Sequence, residues 1–471
     1  WGDRTVGDLN TNGDPSFVGN VINDIYFWRG RLGLLADDNF LLSEVSEAFN
    51  FFRTTVIQLL DSDPIDVSVG HTKSSILRHA VPYNDQLILF SDQTQFIVSD
   101  DGTILTPKTA TVTQSTAFES SVTAKPMALG RVVYFAEQLG NYTGIQEYFK
   151  TDSAASQFDA TSATHHVPKY IQGNPVKIAG SSHEDIVTVL TDENRNLLYV
   201  YKFLFNNNAK VQASWSKFDF GADAAVLNMD WIESTLYMVV QREEGLFLEK
   251  TTIEAGRADV GLDFVLSVDR RACPTGVYDA PTNLTTFTIP YEVPVADILQ
   301  VIITADSTAN NEFGVSYDVP AGFILDTERV TSTTFTVPND YSAATTCCGT
   351  KYTFSYTFSK PHLRVQKGEG VAVVSAGRYQ VLRGTLRYSD SAAFTVNVTP
   401  QYRETTVNEF TWNILGQGLV LGEVNTRSGE FRFPILCTND DLTLEVTNDT
   451  PLPSNLVSLE YEVNYTSRAS R

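Results

Sequence analysis

The sequence is short of basic residues. It has 34 lysines and arginines against 56 aspartates and glutamates, and its formal net charge at pH 7 is −22. A protein that grips nucleic acid usually shows a basic surface, because its affinity comes largely from Lys and Arg replacing the counterions of the phosphates. This composition argues against tight nucleic-acid binding. Two interpretations stay open: the acidity serves solubility, or it provides a surface along which a polyanion passes without being held.

Cysteine is equally scarce. Four cysteines are too few for a disulfide scaffold, and the absence of a Cys-x-x-Cys pair argues against a zinc site. We expect buried free thiols of a protein made in a reducing cytoplasm. The four residues are Cys273, Cys347, Cys348 and Cys437.

Metal-binding patterns are also missing. None of the six histidines has a metal-ligand spacing; His165 and His166 are adjacent, and neighbours on a strand point to opposite faces. Asp61, Asp63 and Asp66 lie close together in "DSDPIDV", but this stretch lacks the glycine and the distal glutamate of a calcium loop. We expect a solvated proline turn there, with a cation site as the alternative. No metal or cofactor is predicted.

Catalytic motifs and targeting segments are absent as well. No Gly-rich phosphate-binding loop joins a strand to a helix, and no acids, bases or ligands converge in the sequence, so we predict that the chain is not an enzyme. No apolar stretch approaches the roughly 18 residues that a membrane span requires, and no signal peptide is visible. The chain begins at Trp1 without a methionine, and we expect residues 1–14 to be the remnant of an upstream segment.

What the sequence does have is length and strand-forming residues. With 471 residues it should contain two or more domains. Its 20 tyrosines and 28 phenylalanines, together with frequent Thr and Val, favour strands over helices. We predict a mainly β protein: a β-propeller-like repeat domain followed by antiparallel β-sandwich or barrel-like domains.

The repeat is a pair of apolar strands joined by a polar turn. Five such pairs occur, and their first strands start about 45 to 55 residues apart, an interval that accommodates a four-stranded propeller blade. We therefore predict a propeller domain of about five blades over residues 15–255; an ordinary β-sandwich with chance periodicity is the alternative. The pairs are "RLGLL" with "FLLS", "QLILF" with "TQFIV", "RVVYF" with "IQEYF", "DIVTVL" with "LLYVYKF", and "TLYMVV" with "GLFLEK".

The first copy carries an extra segment. Val45, Ala48, Phe49 and Phe52 fall at i, i+3, i+4 and i+7, which predicts a short helix capped by Ser43. Tight turns are predicted at "SDDGT" (99–103), "TDENRN" (191–196) and "FNNNAK" (205–210).

After residue 255 the pattern changes to alternation of apolar and polar residues, as in "TTFTIPYEV" (285–293) and "TFTVP" (334–338). This period of two is typical of half-exposed antiparallel strands. We predict a second β-rich domain over 256–390 and a C-terminal β-domain over 391–471 that packs back on the body.

One stretch is specific enough to indicate a family. "PSFVGNVINDIYFWRGRLGLLADDNFLLSEVSEAFNFF" (15–52) closely resembles a segment of the tail nozzle family (tail tubular protein B) of short-tailed phages of the autographivirus type. The resemblance is dense over about 15–255 and thin across 260–420, and the order of the motifs is preserved. It continues in "DSDPIDV" (61–67), "ILRHAVPYNDQLILFSDQTQFIV" (76–98), "GRVVYFAE" (130–137), "HVPKYI" (166–171), "YKFLFNNNAKVQASWSKFDFG" (201–221) and "SGEFRFPI" (428–435).

The resemblance implies a structural role in the virion. Members of this family form a homo-hexameric ring at the distal end of the tail, below the adaptor ring (tail tubular protein A). Tail fibres dock around that junction, the tip contacts the host envelope, and DNA leaves through the lumen. The chain would then be made in the host cytoplasm and reside in the phage tail, with 256–390 as the nozzle or tip domain.

The acidic composition suggests how such a lumen works. Six copies of these 471 residues, with any upstream segment left out of the count, carry 6 × (−22) = −132 formal charges. An acidic wall repels phosphates, so DNA slides without being trapped by ion pairs. We expect lumen residues to be mostly Asp, Glu, Asn, Ser and Thr. Loops of the second domain are expected to narrow the bore, and "PNDYSAATTCCGTKY" (338–352) is the candidate constriction. Its candidate residues are Asn339, Asp340, Tyr341, Cys347 and Cys348.

The alternative is a propeller that binds or hydrolyses glycans on the host surface. Glycoside hydrolysis needs two carboxyl groups about 5 to 9.5 Å apart, and so acidic a chain does not exclude such a pair. A carboxylate pair facing a sugar-sized cleft would favour this alternative, and a sixfold bore would favour the conduit.

Overall fold

The fold is built from β-strands. A computed structural model describes residues 1–70, 76–99, 104–151, 157–206, 209–254, 256–367, 370–374, 377–411 and 424–466. Within these ranges the regular structure is strand, without helix, which confirms the prediction of a mainly β protein. No helix long and apolar enough to cross a membrane occurs in them either. The chain divides into two compact units, Trp1–Glu254 and Ala255–Arg471; the finer division at residue 390 stays a prediction.

The described residues of the first unit form five antiparallel sheets, each made of strands consecutive in the chain. Sheet 1 contains β1 (Ile22–Trp28), β2 (Arg31–Ala36), β3 (Asn39–Leu42) and β4 (Ile65–Ser68); sheet 2 contains β5 (Leu77–Tyr83), β6 (Gln86–Ser91), β7 (Gln95–Ser99) and β8 (Thr111–Thr116); sheet 3 contains β9 (Met127–Leu129), β10 (Val132–Leu139), β11 (Tyr142–Lys150) and β12 (Phe158–Ser162); sheet 4 contains β13 (Pro175–Ser181), β14 (Ile186–Thr191), β15 (Leu197–Asn206) and β16 (Ala209–Asp219); sheet 5 contains β17 (Ala225–Ile232), β18 (Thr235–Arg242) and β19 (Gly245–Thr252).

The five predicted strand pairs are confirmed as hairpins. They are β2–β3, β6–β7, β10–β11, β14–β15 and β18–β19. The predicted turn 191–196 connects β14 to β15. Residues 100–103 of the "SDDGT" turn and 207–208 of "FNNNAK" lie outside the described residues. Closure of the five sheets into a propeller stays a prediction.

The middle strands of the array are apolar on both faces. On β6, Leu87 and Leu89 pack in the core shared with sheet 1, whereas Ile88 and Phe90 pack in the core shared with sheet 3. Successive side chains of a strand point to opposite faces, so a sheet with neighbours on both sides needs an unbroken apolar run. Two further cores of the same kind join sheet 3 to sheet 4 and sheet 4 to sheet 5. The continuous apolar runs of the sequence therefore reflect sheets that stack in chain order.

The helix predicted after Ser43 is not formed, and this prediction was wrong. Residues 43–53 form turns and irregular segments, and Ser46 has a φ of 64°, a left-handed conformation that interrupts a helix. The Oγ of Ser43 accepts a hydrogen bond from the N–H of Leu32 at 3.0 Å instead of capping a helix. Val45 and Phe49, two members of the supposed buried stripe, are exposed.

A buried arginine explains this geometry. Arg31 is 1% exposed, and its guanidinium donates hydrogen bonds to backbone carbonyls of two loops: Ser43 at 2.7 Å, Asp63 at 2.8 Å, Asp61 at 3.0 Å and Ser62 at 3.3 Å. A guanidinium has donors only, so its burial requires a set of acceptors. The Ser43 carbonyl, which would have accepted the first hydrogen bond of the predicted helix, accepts one from the Arg31 guanidinium instead.

The "DSDPIDV" segment is only in part the solvated turn that we predicted. Asp61 and Asp66 are exposed, but Asp63 is fully buried. Its Oδ2 accepts a hydrogen bond from the N–H of Leu60 at 2.8 Å. Asp63 thus shapes the loop whose carbonyls receive Arg31.

Replacing Arg31 by methionine keeps a long side chain but removes the donor that these carbonyls share. We expect Arg31→Met to lower the free energy of unfolding by about 3–5 kcal/mol. Arg78→Met is the matched control, because Arg78 pairs with Asp92 at 3.0 Å near the surface, where an ion pair contributes about 1 kcal/mol or less. Denaturant unfolding measures both variants. Equal losses would contradict the role given to Arg31.

The second unit is antiparallel throughout its described sheets. The predicted alternation of buried and more exposed residues holds in strands such as Ala393–Pro400 and Leu442–Asn448. "TFTVP" (334–338) is a strand as predicted, but its three middle residues are all buried. In chain order the strands are β20 (Asp269–Ala272), β21 (Val277–Asp279), β22 (Leu284–Thr288), β23 (Leu299–Ile303), β24 (Ser307–Asn310), β25 (Ser316–Val319), β26 (Ile324–Leu325), β27 (Glu328–Arg329), β28 (Thr334–Pro338), β29 (Thr346–Thr350), β30 (Phe354–Thr357), β31 (Arg364–Lys367), β32 (Gly370–Val373), β33 (Arg378–Ser391), β34 (Ala393–Pro400), β35 (Thr406–Thr411), β36 (Arg427–Thr438), β37 (Leu442–Asn448) and β38 (Asn455–Thr466).

These strands form two groups of sheets and two hairpins. Sheets β20-β29-β23-β26 and β21-β22-β28-β27 use the earlier strands, and β24 pairs with β25 and β31 with β32. Sheets β30-β37-β34-β35 and β36-β33-β38 share one core, which contains Phe394, Val396, Phe410, Leu386 and Phe433.

Candidate functional site

The candidate constriction is a loop between two sheets of the second unit. Residues 339–345 connect β28 to β29. The loop is tied to the β24–β25 hairpin by a pair of backbone hydrogen bonds: the N–H of Asp340 donates to the carbonyl of Asn310 at 2.9 Å, and the N–H of Asn310 donates to the carbonyl of Asp340 at 3.2 Å. The loop and the hairpin therefore form one structural element.

A buried threonine holds the start of the loop. The Oγ1 of Thr285, on β22, donates to the carbonyl of Asn339 at 2.6 Å and accepts from the N–H of Tyr341 at 2.9 Å. Asn339 has a φ of 80°, a left-handed conformation that asparagine tolerates better than most residues. The hydroxyl thus satisfies two backbone groups that this sharp turn would otherwise leave unpaired.

Tyr341 anchors the loop from inside. Its side chain is buried, and its hydroxyl lies 2.9 Å from the hydroxyl of Tyr317 on β25. The Nδ2 of Asn339 donates to the same Tyr317 hydroxyl at 3.2 Å. Burial raises the pKa of Tyr341 above its ordinary value, so the phenol stays neutral and serves as a structural hydrogen-bonding group.

Asp340 is the charged group of the loop. Its Oδ1 accepts hydrogen bonds from the Oγ of Ser342 at 2.6 Å and from the N–H of Ser342 at 3.0 Å. These bonds lower the pKa of Asp340 below its ordinary value, because they favour the ionised form. The loop therefore presents a negative charge at neutral pH.

The cysteines differ from our expectation of four free thiols, which was wrong for two of them. Cys273 and Cys347 form a disulfide across a sequence separation of 74, whereas Cys348 and Cys437 are free and buried. Cys273 directly follows β20, whose pairing with β29 sets Ala272 opposite Cys348. Burial raises the pKa of the Cys348 thiol to about 12.

The structure separates the five candidate residues into two kinds. Tyr341, Cys347 and Cys348 are buried, so their side chains pack inside the unit. Asn339 and Asp340 are half-buried at its surface, and the exposed residues of the loop are Ser342, Ala343 and Thr345. A role of the loop in narrowing a bore stays a prediction, and its exposed residues would carry it.

Sequence reasoning overlooked the neighbouring hairpin. At its tip Phe313 is 79% exposed and Val315 is 58% exposed, while the side chain of Asn311 accepts hydrogen bonds from the N–H groups of both residues. The turn-forming "NNEFG" stretch between two short strands was the available signal.

Two polar sites in the first unit are relevant to the alternative function, binding or hydrolysis of glycans. A recess of about 390 Å³ is lined by two glycines and by the polar residues Gln138, Asn141, Asn174, Asp192 and Glu193. Both carboxylate oxygens of Asp192 accept hydrogen bonds from Asn174, at 2.7 and 2.8 Å, and these bonds lower the pKa of Asp192. Its carboxylate is thus a structural acceptor and stays ionised.

The second polar site lies between sheets 3 and 4. Glu147 is buried, accepts a hydrogen bond from the Tyr201 hydroxyl at 3.1 Å and forms an ion pair with Lys210. Burial and the charge of Glu147 raise the pKa of Tyr201. The cluster packs against the aromatic core of these sheets. Its polar groups pair with one another, so the cluster has a structural explanation that requires no ligand.

The histidine pair also lies elsewhere than predicted. His165 and His166 are exposed in a turn after β12, not on a strand. No group of three or more His, Cys, Asp or Glu in the described ranges is arranged to hold a metal ion.

Comparison with known proteins decides the family. The sequence profile described as "Bacteriophage nozzle protein" matches residues 1–471. The chain is also 31% identical over 475 residues to the tail tubular protein gp12 of Escherichia phage T7, with 100% of this chain covered. The chain belongs to the bacteriophage nozzle protein family. The resemblance found in the sequence is thereby confirmed, and the chain spans 59% of the length of the T7 relative.

Similarity to solved structures is weak by comparison with this family match. The N-terminal domain of Nup170 from Chaetomium thermophilum, in its Nup53 complex, covers 70% of this chain and 58% of its own at 9% identity, with a TM-score of 0.33. Hsv2 of Kluyveromyces lactis covers 65% of this chain and 98% of its own at 12% identity, with a TM-score of 0.28. At such low scores neither adds to the description of the nozzle-family fold.

The anchoring of the 339–345 loop can be tested at Thr285. Thr285→Val keeps the shape of the side chain but leaves one carbonyl and one N–H unpaired in a buried turn. We expect the free energy of unfolding to fall by about 1–3 kcal/mol and hydrogen exchange of residues 339–345 to become faster. Thr288→Val is the matched control, because Thr288 lies exposed on the same strand. Unchanged exchange in Thr285→Val would show that this hydroxyl does not hold the loop.

Proposed function

We propose that the chain forms a homo-hexameric nozzle at the distal end of a short phage tail and conducts DNA during genome ejection into the host. The match of the nozzle family over residues 1–471 carries this proposal. In it the chain, made in the host cytoplasm, binds the tail adaptor protein (tail tubular protein A), helps to dock the tail fibres and contacts the host envelope at its tip. The role is structural and requires no catalysis.

The proposed conduction mechanism rests on charge. Six copies of these 471 residues carry 6 × (−22) = −132 formal charges. Salt screens repulsion beyond about 8–10 Å, so only the charges that face the lumen act on the DNA. A lumen lined by Asp, Glu, Asn, Ser and Thr offers phosphates no ion pair, and the polyanion slides without being held.

The proposed constriction is the 339–345 loop together with the β24–β25 hairpin. The ionised Asp340 would contribute six carboxylates to a ring, and Ser342, Ala343 and Thr345 supply small neutral groups beside it. The hydrogen bonds from Thr285 and the buried Tyr341 favour a fixed wall over a mobile flap. The exposed Phe313 at the hairpin tip adds an apolar group to the same element.

Placing cations on this loop tests the proposal. Virions carrying Ser342→Lys with Ala343→Lys gain about 12 positive charges per hexamer, which should bind passing phosphates. We expect triggered genome ejection, followed by dye fluorescence, to be about tenfold slower at 50 mM salt and to recover above about 200 mM salt. The control is Ser342→Glu with Ala343→Glu, which changes size and charge at the same positions and should eject like the wild type.

Two results would contradict the proposal. If the lysine and glutamate virions eject their genomes at the same rate at low salt, the loop does not face the DNA. If the purified wild-type chain releases reducing sugar from host surface glycans, the result supports the glycan-hydrolysing alternative and contradicts a purely structural role.

A further inference from the structure

A disulfide ties down the end of the candidate constriction loop. Cys347 is the second residue of β29, two positions after the end of the 339–345 loop, and it is bonded to Cys273, which directly follows β20. The Oγ1 of Thr346 donates a hydrogen bond to the carbonyl of Pro274 at 3.1 Å. The segment around Cys273 therefore holds the end of the loop, in addition to the hydrogen bonds that hold its start.

The two cysteines of this disulfide lie in unequal surroundings. Cys273 is exposed, whereas Cys347 is 5% exposed. Exchange begins when a thiolate attacks one sulfur of a disulfide and displaces the other, so its rate depends on which sulfur the attacking thiolate can reach. A small thiol in solution therefore attacks at Cys273, and the sulfur that it displaces is that of the buried Cys347.

A guanidinium lies beside the sulfur that would be displaced. The Nη2 of Arg271 is 3.5 Å from the Sγ of Cys347, and its Nη1 donates hydrogen bonds to both carboxylate oxygens of Asp259 at 2.9 Å. Asp259 is held in turn by the N–H of Leu266 at 2.7 Å. A cation beside a cysteine stabilises its thiolate, and a more stable thiolate leaves faster in thiol–disulfide exchange.

The neighbouring free thiol does not compete for this disulfide. Cys348 follows Cys347 on the same strand, so the two side chains point to opposite faces. Cys348 is fully buried, and burial raises the pKa of its thiol to about 12. Because the thiolate is the attacking species, the group that opens the disulfide must come from solution.

We propose that the Cys273–Cys347 disulfide is an exchange site for a small thiol such as glutathione, which reversibly releases the end of the loop. A glutathione thiolate attacks the Cys273 sulfur, the bond between the two cysteine sulfurs breaks, and Cys347 leaves as a thiolate that takes a proton from water. A second glutathione thiolate attacks the glutathione sulfur of the mixed disulfide and displaces the Cys273 thiolate. Two glutathione molecules are thereby oxidised to one disulfide, and oxidised glutathione drives the same steps in reverse.

The consequence for the constriction rests on the proposed function, in which the chain is made in the host cytoplasm and the loop narrows the bore. A reducing cytoplasm keeps thiols reduced, whereas disulfides persist in oxidising surroundings. We expect the dithiol form during synthesis and assembly and the disulfide form in virions outside the cell. The end of the loop is then tied only after the virion has left the cytoplasm.

Glutathione itself tests the exchange site in the native full chain. After incubation with reduced glutathione and quenching in acid, peptide mass spectrometry should show a glutathione adduct on Cys273 and a free thiol at Cys347. No adduct on the native chain, or an adduct on Cys347 in its place, would overturn the proposal.

The part played by Arg271 is tested by the rate of this reaction. Arg271→Gln removes the charge beside the departing sulfur, and we expect opening of the disulfide by glutathione to be about three- to tenfold slower. Arg364→Gln is the matched control, because it removes the same charge from an exposed residue of β31 and should leave the rate unchanged. An Arg271→Gln rate equal to or above that of the wild type would refute the role of the guanidinium.

Hydrogen exchange tests the effect on the loop. Exchange of residues 339–345 should be faster in the glutathione-reduced chain and in Cys273→Ser than in the oxidised wild type, while exchange of β37 serves as the internal control and should not change. Equal exchange of the loop in all three samples would refute the redox-controlled tie alone. A wild-type chain that forms no ring in electron microscopy would instead refute the proposed function and leave the exchange site in place.

Discussion

The first unit depends on one packing constraint: each interior sheet must bury both of its faces. A strand such as β6 meets it by sending Leu87 and Leu89 to one neighbour and Ile88 and Phe90 to the other. Two further cores of the same kind join sheet 3 to sheet 4 and sheet 4 to sheet 5. Stacking of apolar sheet faces thus accounts for the fold of the first unit.

The second unit follows a different principle. Some of its strands alternate, such as β34, which directs Phe394 and Val396 into a shared core. The 339–345 loop is held by hydrogen bonds to Thr285 and Tyr317 and lies between β28 and a disulfide-bonded strand. These bonds fix the conformation of the loop, as the proposed wall against which DNA moves would require.

Local pattern predicted the strands and hairpins, because short apolar or alternating runs rich in Val, Thr, Tyr and Phe and bounded by turn-forming residues are typical of strands. The family was also accessible, since the 15–52 stretch is specific. The prediction of a helix after Ser43 was wrong because a helical spacing in the sequence does not show that the Arg31 guanidinium donates a hydrogen bond to the Ser43 carbonyl. The disulfide was not predicted from the sequence because Cys273 and Cys347 are 74 residues apart and come together only when β20 pairs with β29. The role of the 339–345 loop as a candidate site stays a prediction, and the burial of Tyr341, Cys347 and Cys348 depends on strand packing that no local pattern shows.

The central claim is that this acidic chain assembles into a ring through which DNA passes. Electron microscopy of the purified full chain tests it most directly, because one reconstruction shows both the symmetry and the lining of the bore. The account predicts a sixfold ring whose bore is lined mainly by Asp, Glu, Asn, Ser and Thr. A field of monomers, or a bore lined by Lys and Arg, would contradict it.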